Sequence, residues 1–218
     1  MKRVLPVVVI TILVCLIIVL KNKRPHTSSS PQNLEFQTLN IVVPPEQADF
    51  GSNEEEWVRK ETRRISAPGR IFHGNEGVVE GVASEKAQGN GPNMWRTLAK
   101  VKEAGAAQDL DAFNRMLDEA GNAEFRREVV EQPGNAALFK QQIAAFQEMS
   151  VLVALDVDGM LVPVVKDAGG AVRALPMTAK DGEYVLCHPT SLPKDNLKLV
   201  QRLELHLAEK PAETLLAK

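Results

Sequence analysis

Three tight-turn dipeptides divide residues 150–187 into four short apolar runs. The dipeptides are Asp158-Gly159, Gly169-Gly170 and Asp181-Gly182, and such pairs favour hairpin turns. The runs between them cover residues 150–157, 160–165, 171–177 and 183–187. Because strands joined by tight turns pair with their neighbours, the pattern predicts a four-stranded antiparallel meander.

Helical patterns surround this meander. Apolar residues recur at helical spacing in four preceding segments, 94–104, 109–120, 123–131 and 136–149. The segment 195–209 is rich in strong helix formers and predicts a C-terminal helix, although its alternating leucines also permit a strand. Helices followed by a meander are typical of an α+β fold, in which helices pack on one face of a curled sheet.

An uncharged run of 17 residues extends from Val4 to Leu20. As a helix it would be about 25 Å long, at the short end of what crosses a hydrocarbon core of about 30 Å. Basic residues flank the run on both sides, and their side chains can reach the lipid head groups. We therefore predict a transmembrane helix that makes residues 1–24 a single-pass membrane anchor.

A cleaved signal peptide and a lipoprotein signal are the alternatives to this anchor. The run is longer than the roughly 7–15 apolar residues of a signal peptide, and no Ala-x-Ala cleavage site follows it. Val14, before Cys15, is larger than the residue that lipoprotein signals require there.

The orientation of the anchor does not follow from charge, because the numbers of basic residues on its two sides are nearly equal. A three-residue tail usually stays in the cytoplasm. We expect the bulk of the chain outside the cytoplasm.

Composition divides the rest of the chain. Residues 25–91, with a polar stretch at 25–32 and repeated glycines, are predicted to form a flexible stalk or linker. Within it, residues 54–64 carry acids first and bases last, an order typical of a short helix or a solvated charged segment. The compact α+β domain is expected at 92–210, followed by a tail at 211–218.

The charge of the chain is unevenly distributed. Residues 1–24 carry five basic residues and no acidic one, which leaves 21 basic against 28 acidic residues in the remainder. An acidic body lacks the basic face that nucleic acids require, and 5% aromatic residues are too few for a base-stacking surface. We exclude nucleic acid as a partner. The expected partners are the lipid bilayer, through Val4 to Leu20, and a protein or a small apolar ligand.

Two segments resemble one known superfamily. Residues 100–105 (KVKEAG), followed by Asp-Leu-Asp at 109–111, are similar to a lysine-rich helix that leads into an Asp-containing turn. Residues 175–186 (LPMTAKDGEYVL) are similar to a terminal hairpin. Through these segments, residues 95–187 resemble the NTF2-like (cystatin-like, SnoaL-type) superfamily.

The NTF2-like resemblance implies a cone of curved sheet, closed by helices, with a pocket at its open end. Members of that superfamily include isomerases and dehydratases as well as binding modules, so the fold alone does not choose between them. Enzymatic members carry Asp, His or Tyr inside the cone. A deep pocket with Asp156, Tyr184 or His188 converging inside would favour an enzyme of this type, and a cone filled by Leu, Val and Phe side chains would exclude it.

Residues 152–161 (LVALDVDGML) carry the sharpest motif. They resemble the first motif of haloacid-dehalogenase-type phosphatases, an apolar strand followed by Asp-x-Asp-Gly-Thr or Val. The resemblance implies Asp156 as nucleophile and Asp158 as acid/base, with Mg²⁺ holding the phosphate. Met160 stands where that family has Thr or Val, and no acidic pair follows to complete the metal site. The alternative is a strand that ends in an Asp-Gly hairpin turn.

The remaining residues suited to catalysis do not form a recognisable site. Cys187 and His188 are a nucleophile and a base by type, but neighbours on a strand point to opposite faces. The chain has no His-x-x-x-His or Cys-x-x-Cys pair, so we predict no metal site, and we assign no cofactor. The sequence favours a non-enzymatic binding or assembly module, with a pocket enzyme and a phosphatase as the alternatives.

Overall fold

The computed structural model describes residues 35–43 and 63–217. The predicted anchor Val4 to Leu20 lies outside the described residues, as do residues 54–62 of the predicted short helix. Within the described ranges, no helix has both the length and the apolar character needed to cross a bilayer.

An antiparallel sheet of seven strands is the centre of the fold, which is α+β. The strands pair in the order β1-β2-β3-β4-β6-β7, and the short β5 also pairs with β4. In chain order they are β1 (Gln37–Val43), β2 (Arg63–Ile71), β3 (Met149–Val157), β4 (Met160–Asp167), β5 (Val172–Ala174), β6 (Met177–Lys180) and β7 (Glu183–Leu186).

Two of the three predicted hairpin turns have the expected local geometry. Asp158 and Gly159 join β3 to β4 with φ angles of 54° and 83°, and Asp181 and Gly182 join β6 to β7 with 50° and 84°. Positive φ at both central residues is the requirement of a type I′ turn, which Asp-Gly satisfies at low cost. The strands around both turns confirm the antiparallel arrangement predicted for this part of the chain.

The third predicted strand, residues 171–177, is two strands in the structure. Both β5 and β6 pair with β4, and the chain between them contains Pro176, which has no N–H to donate to a ladder. The backbone N–H of Leu175 donates to the carbonyl oxygen of Pro163 at 2.8 Å, so the chain stays beside β4 across this break.

Strands β1 and β2 correct the predicted linker at 25–91 and the predicted domain start at 92. All of β1 pairs with residues 63–69 of β2, and β2 pairs with β3 from Gly69 to Ile71. A Cβ at Gly69 would lie 2.8 Å from the carbonyl oxygen of Ala154, so this glycine permits close strand packing. The sequence predicted a linker here because Gly69 lies among polar residues, a composition that is more typical of linkers than of strands.

Five α-helices complete the described fold. The first begins at Asn93, whose Oδ1 accepts hydrogen bonds from the N–H groups of Trp95 and Arg96 at 2.9 and 3.3 Å. The predicted helix at 109–120 is divided, because Asp109 and Asp118 each cap a separate helix. The helices are α1 (Met94–Ala107), α2 (Leu110–Asn114), α3 (Glu119–Phe125), α4 (Ala136–Ala144) and α5 (Lys194–Glu209), and one π-helical turn, Arg126–Val130, follows α3.

Helices cover both faces of the sheet, which corrects the expectation that they pack on one face. On one face α1 packs in a buried cluster that includes Ala154 and Val165, and on the other α5 packs in a cluster that includes Val153 and Val164. Because successive strand residues point to opposite faces, the continuous apolar runs of β3 and β4 supply both clusters, a pattern typical of strands buried on two sides.

The predicted tail at 211–218 is also part of the core. Residues Ala212–Leu215 form a 3₁₀ helix, and the side chain of Leu215 is fully buried. Leu216 pairs with Ile41 of β1, and the N–H of Ala217 donates to the carbonyl oxygen of Asn40 at 2.8 Å. This segment therefore covers the outer edge of β1.

Candidate functional site

A cavity of about 370 Å³ lies among α3, the π-helical turn, α4, the chain after β7, and α5. We call it the apolar cavity. Aromatic and aliphatic side chains form most of its wall, among them Leu117, Phe125, Phe139, Leu186, Leu197 and Val200. A space of this size and character is suited to a small apolar molecule.

Polar side chains occur at a few points of this wall. Glu124 and Glu128 come from α3 and the π-helical turn, Glu204 comes from α5, and Cys187 and His188 follow β7. Among the described residues that line the cavity there is no lysine and no arginine. The polar part of the wall is therefore acidic.

Glu204 is the carboxylate of this wall that is most closely tied to the sheet. Its Oε1 accepts a hydrogen bond from the backbone N–H of Ala174 at 2.7 Å. Burial raises the pKa of Glu204, while the Ala174 hydrogen bond and the charge of Arg173 oppose the rise. The carboxylate thus joins α5 to β5 while it borders the cavity.

Asp118 fixes the part of the wall where α3 meets the chain after β7. Its Oδ1 accepts from the N–H of Gly121 at 2.8 Å and caps α3. Its Oδ2 accepts from the N–H of His188 at 3.2 Å and from the hydroxyl of Ser191. One carboxylate therefore orders both segments of this wall.

Cys187 and His188 both border the apolar cavity, and their side chains have different partners. The Cys187 thiol donates to Thr178 Oγ1 at 3.6 Å, and burial is the main reason that the pKa of Cys187 is raised. His188 Nδ1 lies 2.8 Å from Thr190 Oγ1. The structure therefore gives each residue a local partner and does not join them as nucleophile and base.

The two aspartates of the phosphatase-like motif lie at the β3–β4 hairpin. Asp156 Oδ1 accepts from the N–H of Gly159 at 3.0 Å, and Asp158 is an exposed residue of the turn. These positions agree with the alternative of a strand that ends in a hairpin turn. Neither aspartate lines the apolar cavity.

Tyr184 lies on the α1 side of the sheet, in the core. Thr97 Oγ1 donates to the backbone carbonyl oxygen of Tyr184 at 3.2 Å. Burial raises the pKa of Tyr184, and the charge of Asp156 adds to the rise. Tyr184 lines a different cavity from His188, so Asp156, Tyr184 and His188 do not converge in one pocket.

The second cavity, of about 590 Å³, is more polar and contains charges of both signs. Lys100 Nζ donates to Glu183 Oε2 at 2.7 Å across it. That hydrogen bond, with the charges of Lys100 and Arg96, lowers the pKa of Glu183. Because Lys100 and Glu183 neutralise each other and the wall is more polar, this cavity is a weaker candidate for an apolar ligand than the apolar cavity.

Sequence reasoning missed Glu204 and Asp118 as residues of a site. Leu197, Val200 and Glu204 recur at helical spacing, so a carboxylate that continues the apolar stripe of α5 was the available signal. Asp118 gave no such signal, because its role depends on contact with residues 188–191.

Within the described ranges, no three His, Cys, Asp or Glu side chains are placed to hold a metal ion. Comparison with protein-family models, curated proteins and solved structures gives no match to this chain.

Proposed function

We propose that this protein is a membrane-anchored, non-enzymatic binding module that holds a small apolar ligand in the apolar cavity. The observation that carries the proposal is the cavity itself, a space of about 370 Å³ with a mainly aliphatic and aromatic wall. Burial of apolar surface supplies most of the binding free energy at such sites, and a few polar groups orient the ligand.

The polar groups around the cavity favour binding over catalysis. A thiolate is the reactive form of cysteine, and burial raises the pKa of Cys187, which lowers the thiolate fraction and slows its reactions. His188 Nδ1 lies 2.8 Å from Thr190 Oγ1, so this ring nitrogen has a partner other than Cys187. The alternatives have less support: Tyr184 and His188, named for a pocket enzyme, line different cavities, and Asp156, named for a phosphatase, accepts a hydrogen bond within a hairpin turn.

Ligand binding is expected to protect Cys187 from alkylation. In the full chain with Cys15→Ser, held in lipid nanodiscs, 1-octanol should slow the reaction of Cys187 with iodoacetamide, as measured by mass spectrometry, because Cys187 lines the cavity. Leu197→Trp fills the cavity and should raise the protective concentration of 1-octanol by about tenfold, the equivalent of about 1.4 kcal/mol.

Leu205→Trp is the matched control, because Leu205 is on the same helix but is 53% exposed. It should leave protection by 1-octanol unchanged. An alkylation rate of the folded wild-type chain that does not respond to 1-octanol at any concentration would contradict the proposed function, whatever the Leu197 variant does.

The anchor is a separate part of the proposal and rests on the uncharged run Val4 to Leu20. The full chain should remain in the membrane fraction after alkaline carbonate extraction, and deletion of residues 1–24 should release it. A reporter that is active only outside the cytoplasm, fused after residue 218, should be active. Extraction of the intact chain by carbonate would contradict the anchor, and an inactive reporter on an inserted chain would contradict the orientation.

A further inference from the structure

We infer that the ligand of the apolar cavity is a cationic amphiphile, an apolar body with a protonated amine that meets the carboxylates of Glu204, Glu124 and Glu128. This inference rests on the proposed function and specifies the class of ligand. It is carried by the combination, in one cavity, of an apolar wall and three carboxylates with no lysine or arginine among the described lining residues.

The acidic charge at the cavity is only partly compensated. Arg127 pairs with Glu124 and has an amino nitrogen 3.8 Å from Glu128 Oε1, and its side chain is 63% exposed. One guanidinium therefore serves two carboxylates. Arg173, which acts on Glu204 by its charge, is hydrogen-bonded to Asp167 Oδ2 at 2.9 Å. The three carboxylates, Arg127 and the Arg173–Asp167 pair together leave an excess of two negative charges when all are ionised.

Glu204 has the geometry to bind an ammonium group. A carboxylate has about four acceptor positions, and the described residues fill one of them through the N–H of Ala174. The side chain also lies one helical turn from Val200 on the cavity wall. A ligand whose alkyl part contacts Leu197 and Val200 therefore has a hydrogen-bond acceptor at its polar end.

The cost of burying charge makes this arrangement selective. A cation that leaves water for an apolar site must be paired with an anion to bind, and Glu204 supplies that pair. A fatty acid would bring a second carboxylate against Glu204, Glu124 and Glu128, so like charges would oppose its binding. A neutral alcohol makes the same apolar contacts but is neither attracted nor repelled by the charge of the carboxylates. The expected order of affinity is alkylamine, then alcohol, then carboxylate.

The test compares three probes of equal chain length on the full chain with Cys15→Ser in zwitterionic lipid nanodiscs. Octylamine, 1-octanol and octanoate are each titrated against alkylation of Cys187 by iodoacetamide. Octylamine should protect at a concentration about tenfold below that of 1-octanol, because its ammonium group forms a charge-assisted hydrogen bond that the alcohol cannot form. Octanoate should protect least.

Glu204→Gln removes the charge and keeps an oxygen that can accept from Ala174. It should abolish the advantage of octylamine while 1-octanol protects as in the wild type, which also shows that the cavity remains formed. Glu209→Gln, an exposed change on the same helix, is the matched control for the charge of the domain and for partition into lipid. It should leave the tenfold advantage intact.

The possible results separate this inference from the proposed function. Protection by 1-octanol without any advantage of octylamine would overturn the cationic ligand and leave the binding module standing. An advantage of octylamine that persists in Glu204→Gln, or stronger protection by octanoate, would also overturn it. If none of the three probes protects Cys187 of the folded chain, the proposed function fails as well.

Discussion

Replacement of Gly105 by alanine is expected to lower the free energy of unfolding by about 2 kcal/mol, the range of overpacked cores. Gly105 lies inside α1, whereas the sequence predicted that the helix would end before this glycine. A Cβ at this position would be 2.5 Å from the carbonyl oxygen of Ile143 and 3.2 Å from the backbone nitrogen of Gln147. Both atoms belong to backbone, so α1 and the α4 region would have to separate.

The direction of this change distinguishes packing from helix propensity. In an exposed helix, alanine is more favourable than glycine by about 1 kcal/mol, so a loss of stability identifies the close contact. Urea unfolding of the full chain in detergent, followed by tryptophan fluorescence, measures it. Gly134→Ala is the control, because a Cβ there has no neighbour within 4 Å, and its effect should stay within about 0.5 kcal/mol. Equal midpoints for the two variants would contradict the close approach of α1 to Ile143.

Replacement of Leu215 by alanine is expected to lower the free energy of unfolding by about 3 kcal/mol, as is usual for a fully buried leucine. Leu215 packs in the same cluster as Ile41 and Leu203, on the α5 side of the sheet. Its loss leaves a space next to β1 that the surrounding helix and strands fill only in part. The same urea titration measures the effect.

Leu216 is a neighbouring control for this substitution, because it is 39% exposed whereas Leu215 is fully buried. Leu216→Ala should cost less than about 1 kcal/mol, since it removes less buried apolar surface. If the two alanine variants unfold at the same urea concentration, the segment 212–217 is a detachable tail, and its place in the core is refuted.

The hairpins were predictable because their determinants are local. Asp158-Gly159 and Asp181-Gly182 adopt positive φ where few other pairs do so at low cost, and the adjoining apolar runs fix the strands. Strands β1 and β2 were not predictable in the same way. The partner of β2 in the centre of the sheet lies far along the chain, as in the pairing of Gly69 with Leu155. Within residues 63–71, Pro68 and Gly69 are unusual in a strand.

The candidate site was harder to predict than the fold, because it exists only between elements that meet in three dimensions. Cys187 and His188 attracted attention by residue type, yet the structure gives each a local partner. Glu204 and Glu128 are 76 positions apart in the chain and border one cavity. No pattern within a single helix shows that those two carboxylates face a common space.

The position of the segment 212–217 against β1 has a consequence for biosynthesis. Residues 37–43 leave the ribosome long before the residues that cover their outer edge and their apolar face. Until then the β1–β2 ribbon has an unpaired edge, which is a known starting point for aggregation, and pairings this distant in the chain slow folding. A nascent chain in which α5 has not yet been synthesised exposes Ile41 together with Val153 and Leu155, so we expect it to depend on chaperones until translation is complete.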